Sequence, residues 1–133
     1  MINQLNPDLI IGEKEENYLE GITALRKRYP VWTGHINSIN RALCMIETIG
    51  KMTDNREPAG ELTRQIRENL DTATHAETYS VAYLIWKEPY IAAGGETFIN
   101  EMLSCCGMEN IFRQNPGYPR IEPKSLDHAD IIL

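Results

Sequence analysis

The sequence predicts an α/β fold in which short parallel strands alternate with helices. Three observations carry this expectation. Brief aliphatic runs at residues 8–12, 80–86 and 129–133 read as buried strands. Between them, apolar residues recur at steps of three and four, the period of a helix with one buried face. The 133 residues are 42% hydrophobic and 24% charged, which suits a folded chain with a real core rather than a disordered one.

Asp8, Leu9, Ile10, Ile11 and Gly12 form the first predicted strand. Asn17 then stands where a helix cap belongs, with Glu20 three positions later in the spacing of a capping box. Leu19, Ile22 and Leu25 give that helix its apolar face, and Arg26, Lys27 and Arg28 suit the negative end of its dipole. Pro30 stops it, and Val31 and Trp32 read as a very short extended segment.

Ile36, Ile39, Leu43, Ile46 and Ile49 repeat at helical spacing, with Gly50 predicted to end the run. Asp54 or Asn55 can cap a second helix, with Pro58 in its first turn, where the missing N–H costs little. Ala59, Leu62, Ile66, Leu70, Ala73 and Ala76 then form an apolar stripe. From 58 to 77 this makes a rod of roughly 30 Å. Thinly apolar on one side and heavily charged on the other, it could bridge two lobes or serve as an amphipathic packing helix.

Residues 80–86 are the clearest strand, near-continuously apolar as a buried parallel strand should be. Gly94 and Gly95 precede a helix predicted over 96–106 and closed by Gly107. Residues 115–123, with three prolines and one glycine, are a turn-rich loop, and 129–133 return to an aliphatic strand. A first unit of one strand, one helix and a short strand makes a poor sheet alone, so further strands are expected from outside it.

Formal charge is −6, with no basic stripe, and this sets nucleic acid aside. No apolar run reaches the ~18 residues of a membrane span, and the first residues lack the pattern of a secretory signal. Cys44, Cys105 and Cys106 do not make a disulfide framework. Cys106 falls in the pattern Phe98, Ile99, Met102, Leu103, Cys106, which predicts core packing for it.

Residues 86–112 read WKEPYIAAGGETFINEMLSCCGMENIF. This stretch resembles the substrate-binding proteins of ABC importers for cobalamin, ferric siderophores and haem, whose two lobes are joined by one rigid helix. The similarity rests on a strand, a Pro-aromatic pair, small residues with Gly, a Thr-x-Ile-x-x-x-Leu run and Gly-x-x-Asn-Ile-Phe. Around it, residues 6–12 resemble the last main strand of the first lobe and 129–133 the strand after the first helix of the second. The fold implied is a class III periplasmic binding protein, represented by its central portion and truncated at both ends. In that frame residues 1–35 close the first lobe, 36–78 are the helical linker, and 79–133 open the second lobe.

The resemblance implies a non-enzymatic capture protein with no cofactor of its own. Its ligand would be a metal chelate such as a cobalamin, ferric siderophore or haem, held in a cleft between lobes. Trp32, Tyr90 and Tyr118 match positions where relatives present aromatic or apolar contacts, and Trp86 joins them or ends its strand buried. Large rings give wide contact at small entropic cost. The partner implied is an ABC permease, docked through Glu15 or Glu16 on the first lobe and a carboxylate on the second. There the sequence departs from the pattern: Lys124 stands near the expected acid, and Glu122 is the nearest carboxylate. The location implied is periplasmic or lipid-anchored outside the membrane, with the chain peripheral to it through the permease. A homodimer covering an exposed sheet edge is a further expectation.

His35, His75 and His128 are far apart in sequence and lack zinc-ligand spacing. The competing reading is a small cytoplasmic α/β enzyme with a reactive cysteine at Cys105 or Cys106 and an anion site at the Gly94–Gly95 turn.

Overall fold

The computed structural model describes residues 2–71 and 77–133. Two compact units divide the chain, Met1–Ile36 and Asn37–Leu133.

The first unit holds a short helix α1 (Ile2–Leu5), strand β1 (Ile10–Glu13), helix α2 (Leu19–Arg26) and strand β2 (Val31–Gly34). β1 and β2 pair in parallel with Ile10 beside Val31 and Glu13 beside Gly34. The right element types were expected, but β1 starts two residues later than predicted and is half-exposed rather than buried. Its single neighbour among the described residues is β2, and only Ile22 of this unit is buried, so its aliphatic faces stay largely uncovered. Leu19, assigned to the apolar face of α2, is exposed. Asn17 does not cap the helix: Tyr18 takes that position without a side-chain hydrogen bond. The Asn17 side chain instead accepts the Glu13 N–H at 2.9 Å, closing the loop after β1. A short amide reaches either target, and the loop's own orphan donor is the nearer one.

The second unit opens on two helices, α3 (Ile39–Met52) and α4 (Arg56–Asp71), packed on one another across a tight turn. Ser38 caps α3, its hydroxyl accepting the Arg41 N–H. Gly50 does not end the helix as expected; it lies buried inside it. A Cβ there would stand 2.4 Å from the Ala59 Cβ, so Gly50 is the point where α3 and α4 approach most tightly. The left-handed residue that breaks the chain between them is Asp54. Asn55 directly precedes α4, and its carbonyl accepts the Ala59 N–H. The inward stripe of α4 is Ala59 and Thr63, both buried, with Ile66 and Leu70 half-buried, and Leu62 turned outward. Thr63 can be buried because its hydroxyl donates back to the Gly60 carbonyl. Ala73, Ala76 and His75 lie outside the described residues, and Glu77 is already outside the helix; α4, which starts two residues before the predicted rod, is about 24 Å long.

Residues 80–86 do not form one strand. They split into β3 (Ser80–Ala82) and β4 (Leu84–Trp86), which belong to different sheets. β3 is central in a parallel sheet between β6 (Glu109–Asn110) and β7 (Ile131–Ile132). β4 forms an antiparallel hairpin with β5 (Ile91–Ala92). Tyr83 is the pivot, and its carbonyl accepts the Ala93 N–H at 2.8 Å. Of the run 80–86, Val81 and Ala82 are buried but Ile85 and Trp86 are exposed, so continuous apolarity reported the burial of β3 and neither the exposure of β4 nor its change of partner.

Helix α5 (Phe98–Cys105) begins later than predicted because Glu96 is in the left-handed region. Thr97, almost wholly buried, caps it by accepting the Asn100 N–H at 3.1 Å and donating to the Gly94 carbonyl at 2.8 Å. Gly107, at φ 67°, closes it as expected. Ala82, Ala92 and Phe112 form the core of this unit, with Leu84, Ile111, Ile121, Leu126 and Ala129 against it. A 3₁₀ helix, Pro123–His128, leads into β7.

Candidate functional site

The hairpin β4–β5 and the loop that follows β6 are laid side by side by main-chain bonds. Trp86 stands opposite Ile91, and Ile91 in turn bridges to Arg120. The Ala92 N–H donates to the Pro119 carbonyl at 3.1 Å, and the Ile121 N–H to the Tyr90 carbonyl at 3.0 Å. Trp86 thus ends β4, Tyr90 closes the hairpin turn just before β5, and the Tyr118–Pro119 bend runs alongside β5.

Trp86 is 63% exposed, which excludes the reading of a buried strand end. Tyr118 is 39% exposed, and Tyr90 is half-buried. Tyr90 lines an open hollow of about 550 Å³ together with Glu88, Pro89, Arg120, Ile121 and Glu122. Arg120 was not singled out in the sequence; its place beside Tyr90 follows from a loop pairing that periodicity does not reveal. Glu122 immediately precedes the 3₁₀ helix and is exposed, as is Lys124.

Gly94 and Gly95 hold this arrangement. Their N–H groups donate to the carbonyls of Gly117 at 2.8 Å and Asn115 at 2.7 Å, and the Gly117 N–H returns to Gly95 at 2.9 Å. A Cβ at Gly94 would lie 2.0 Å from the Asn115 oxygen, and one at Gly95 2.2 Å from the Arg113 oxygen. These donors are spent on the loop, so the turn does not offer them to an anion.

In the first unit, Trp32 sits on β2 with its ring over Gly34, where a Cβ would meet it at 3.2 Å. Glu15 and Glu16 lie in the loop after β1. The Glu13 carboxylate shapes that loop by accepting N–H groups of Glu15 at 2.5 Å and of Glu16 and Ile36 at 3.3 Å. Burial acts to raise the Glu13 carboxyl, and the hydrogen bonds from Glu15, Ile36, Glu16 and Lys14 outweigh it, leaving its pKa below the usual value. Glu15 faces His35 at 3.8 Å.

Cys106 is exposed, contrary to the core packing expected of it. The helical period ends at Cys105, and Cys106 is the C-cap residue, on the rim of an apolar hollow of about 320 Å³ with Phe98, Met102 and Leu133. Cys105 is half-buried; burial, then Glu101 and Cys106, push its thiol upward, the wrong direction for a ready nucleophile. Among the described residues no three His, Cys, Asp or Glu side chains gather as metal ligands would.

Asn110 was quoted in the sequence pattern without a role. It is 3% exposed, and its amide donates to the Ala93 carbonyl and the Asn100 side chain, both at 3.0 Å, while its oxygen accepts the Phe112 N–H. The recognisable pattern Gly107, Asn110, Phe112 is thus a helix stop, a buried tie and a core ring.

No protein-family model matches the sequence, and no curated protein matches it at a significant level. Solved structures do. A possible iron-binding (periplasmic solute-binding) protein of Staphylococcus epidermidis is similar at 24% identity with a TM-score of 0.81, over 98% of this chain and 55% of that one. The periplasmic vitamin B12-binding protein BtuF of Vibrio cholerae is similar at 21% identity and 0.81, with the same shares covered. An ABC-type Fe3+-hydroxamate transport protein of Saccharomonospora viridis follows at 20% and 0.75, over 98% and 50%. The chain spans about half the length of these structures. Among the described residues no helix is long and apolar enough to cross a membrane. The chain has the α/β fold of class III periplasmic substrate-binding proteins, over about half of such a protein's length.

Proposed function

We propose that this chain belongs to the solute-binding component of an ABC importer, which captures a cobalamin- or ferric-siderophore-type metal complex between two lobes and delivers it to a permease. The observation that carries the reading is the open hollow lined by Tyr90, Arg120 and Glu122, with the hairpin that bears Trp86 and the Tyr118–Pro119 bend held next to one another by main-chain bonds. Rings on a rigid backbone suit a broad, partly apolar chelate, with tyrosine hydroxyls and Arg120 to orient its polar edge. Trp32 would contribute from the first lobe. Residues 1–35 would close that lobe, 36–78 link, and 79–133 open the second, with haem an alternative chelate.

Glu15 and Glu16 would meet arginines of the permease, and Glu122 would take the corresponding part on the second lobe. The protein would work outside the cytoplasm, in the periplasm or on a lipid anchor, without catalysing a reaction. The raised Cys105 thiol and the spent N–H groups of Gly94 and Gly95 argue against the cysteine enzyme.

The test is tryptophan fluorescence, titrated in parallel with cobalamin, a ferric siderophore panel and haem, with free tryptophan correcting for absorption. Saturable quenching by one class, weakened at least about tenfold by Tyr90→Ala or Trp86→Ala, is expected. Equal, non-saturating quenching by all of them would overturn the reading.

A further inference from the structure

Three sulfur side chains gather at the end of α5, outside the candidate ligand site. Met102 and Cys106 are one helical turn apart, and the Cys106 N–H donates to the Met102 carbonyl at 3.0 Å, so both stand on one face. Gly107, at φ 67°, then turns the chain back. Its N–H donates to the Ser104 carbonyl at 3.0 Å, and the Met108 N–H to the Leu103 carbonyl at 2.9 Å. That return brings Met108 to the same side. Met102, Cys106 and Met108 all line the apolar hollow of about 320 Å³.

Donor chemistry and charge say what such a set holds. Thiolate and thioether sulfurs are soft donors and suit copper(I). Zinc sites call for further thiolates, imidazoles or carboxylates, and the other walls, Tyr83, Phe98, Ile99, Leu103 and Leu133, bring no such side chain. One thiolate and two neutral thioethers around copper(I) carry no net charge, which suits an apolar hollow. A divalent ion would leave a positive charge there without a partner. The negative end of the α5 dipole adds to the attraction for a cation. Cys105 takes no part: it lines a different hollow, with Ile39, Leu43 and Leu70, and burial pushes its thiol upward.

We infer that Met102, Cys106 and Met108 form a three-sulfur site for copper(I), with Cys106 as the thiolate and the two methionines as thioether ligands. Binding releases the Cys106 proton to solvent, and copper enters as copper(I), so no electron is transferred. The site needs no open surface, since an apolar cover over the hollow would exclude water and favour the neutral complex further. It shares no residue with the hollow that Tyr90 lines and does not rest on the capture reading. The ion is held bare by the chain's own sulfurs, not as a chelate.

The experiment titrates the full chain, reduced and free of oxygen, with copper(I) supplied as its acetonitrile complex in competition with a chromogenic copper(I) chelator. A single equivalent should bind, with thiolate-to-copper absorption in the ultraviolet and a sulfur-only shell in copper-edge X-ray absorption. Cys106→Ser should abolish binding, and Met102→Leu/Met108→Leu should weaken it at least about tenfold. Leucine keeps the methionine volume, so without copper that variant should hold the wild-type thermal midpoint. Cys44→Ser and Cys105→Ser should bind as the wild type does, and zinc(II) should not compete. Absence of stoichiometric binding, binding that survives Cys106→Ser, or unchanged affinity in the double leucine variant would overturn the site. So would zinc(II) binding as tightly as copper(I).

Discussion

At Gly50 a single missing methylene decides how closely α3 and α4 pack. Gly50→Ala should destabilise the chain by about 1–3 kcal/mol, because the new Cβ meets Ala59 and the Asn55 carbonyl and the backbone must move. Better helix propensity returns at most about 1 kcal/mol, and urea unfolding should show a net loss. Two carboxylates tie strand ends, Glu13 through the loop after β1 and Asp130 through the Ser80 hydroxyl at 2.7 Å and N–H at 2.8 Å. The Ser80 hydroxyl, then its N–H, hold the Asp130 carboxyl below its usual value. Both groups thus have lower pKa values folded than unfolded. Their stabilisation is present above the unfolded values of about 4 and is lost as pH falls through the folded ones. Glu13→Gln with Asp130→Asn should therefore flatten the acid limb of thermal stability below pH about 4, measured by circular dichroism. The sequence shows that these residues are acids near strand ends, but not which donors face them. Gly50, likewise, reads as a stop from one dimension, because the residue it touches is nine positions away on another helix.

The element scale explains what sequence patterning reaches and what it misses. Helical period found α3, α4 and α5, and aliphatic runs found β1, β3 and β7, because each reports burial of one face. It did not separate β3 from β4, since both are apolar in sequence and differ in exposure and hydrogen-bond partners. It placed Leu62 where Thr63 packs, because a hydroxyl bonded to its own helix counts as polar in a pattern and apolar in a contact. Cys106 was misread for a related reason: a period extends on paper past the point where a helix ends. Thiol labelling of the folded chain should accordingly modify Cys44 and Cys106 promptly and Cys105 more slowly. Uniform protection of all three until unfolding would contradict the helix end at Cys105. The ring positions of the candidate site were legible as aromatics in loops; the nearness of the segments that carry them required the pairing of Ile91 with Arg120.

For the molecule as a whole, burial is uneven. Of residues 2–36 only Ile22 is buried, whereas Val81, Ala82, Ala92 and Ala93 in the second unit are fully enclosed. Below ~40 residues a chain seldom stabilises itself, so amides of β1 and β2 should exchange with deuterium well before those of β3, as read by mass spectrometry. Ile131–Ile132 and Ile10–Glu13 also pair on one side only among the described residues, so an elution volume that shifts with concentration is expected in size exclusion. The joint between Gly94, Gly95 and residues 115–117 has a different consequence. It is made wholly of main-chain atoms, so it is indifferent to which rings occupy positions 86, 90 and 118. Mutation can exchange those rings without dismantling their frame, and under the proposed capture role that would retune the ligand, whereas a side chain at either glycine would collide with the loop's own carbonyls.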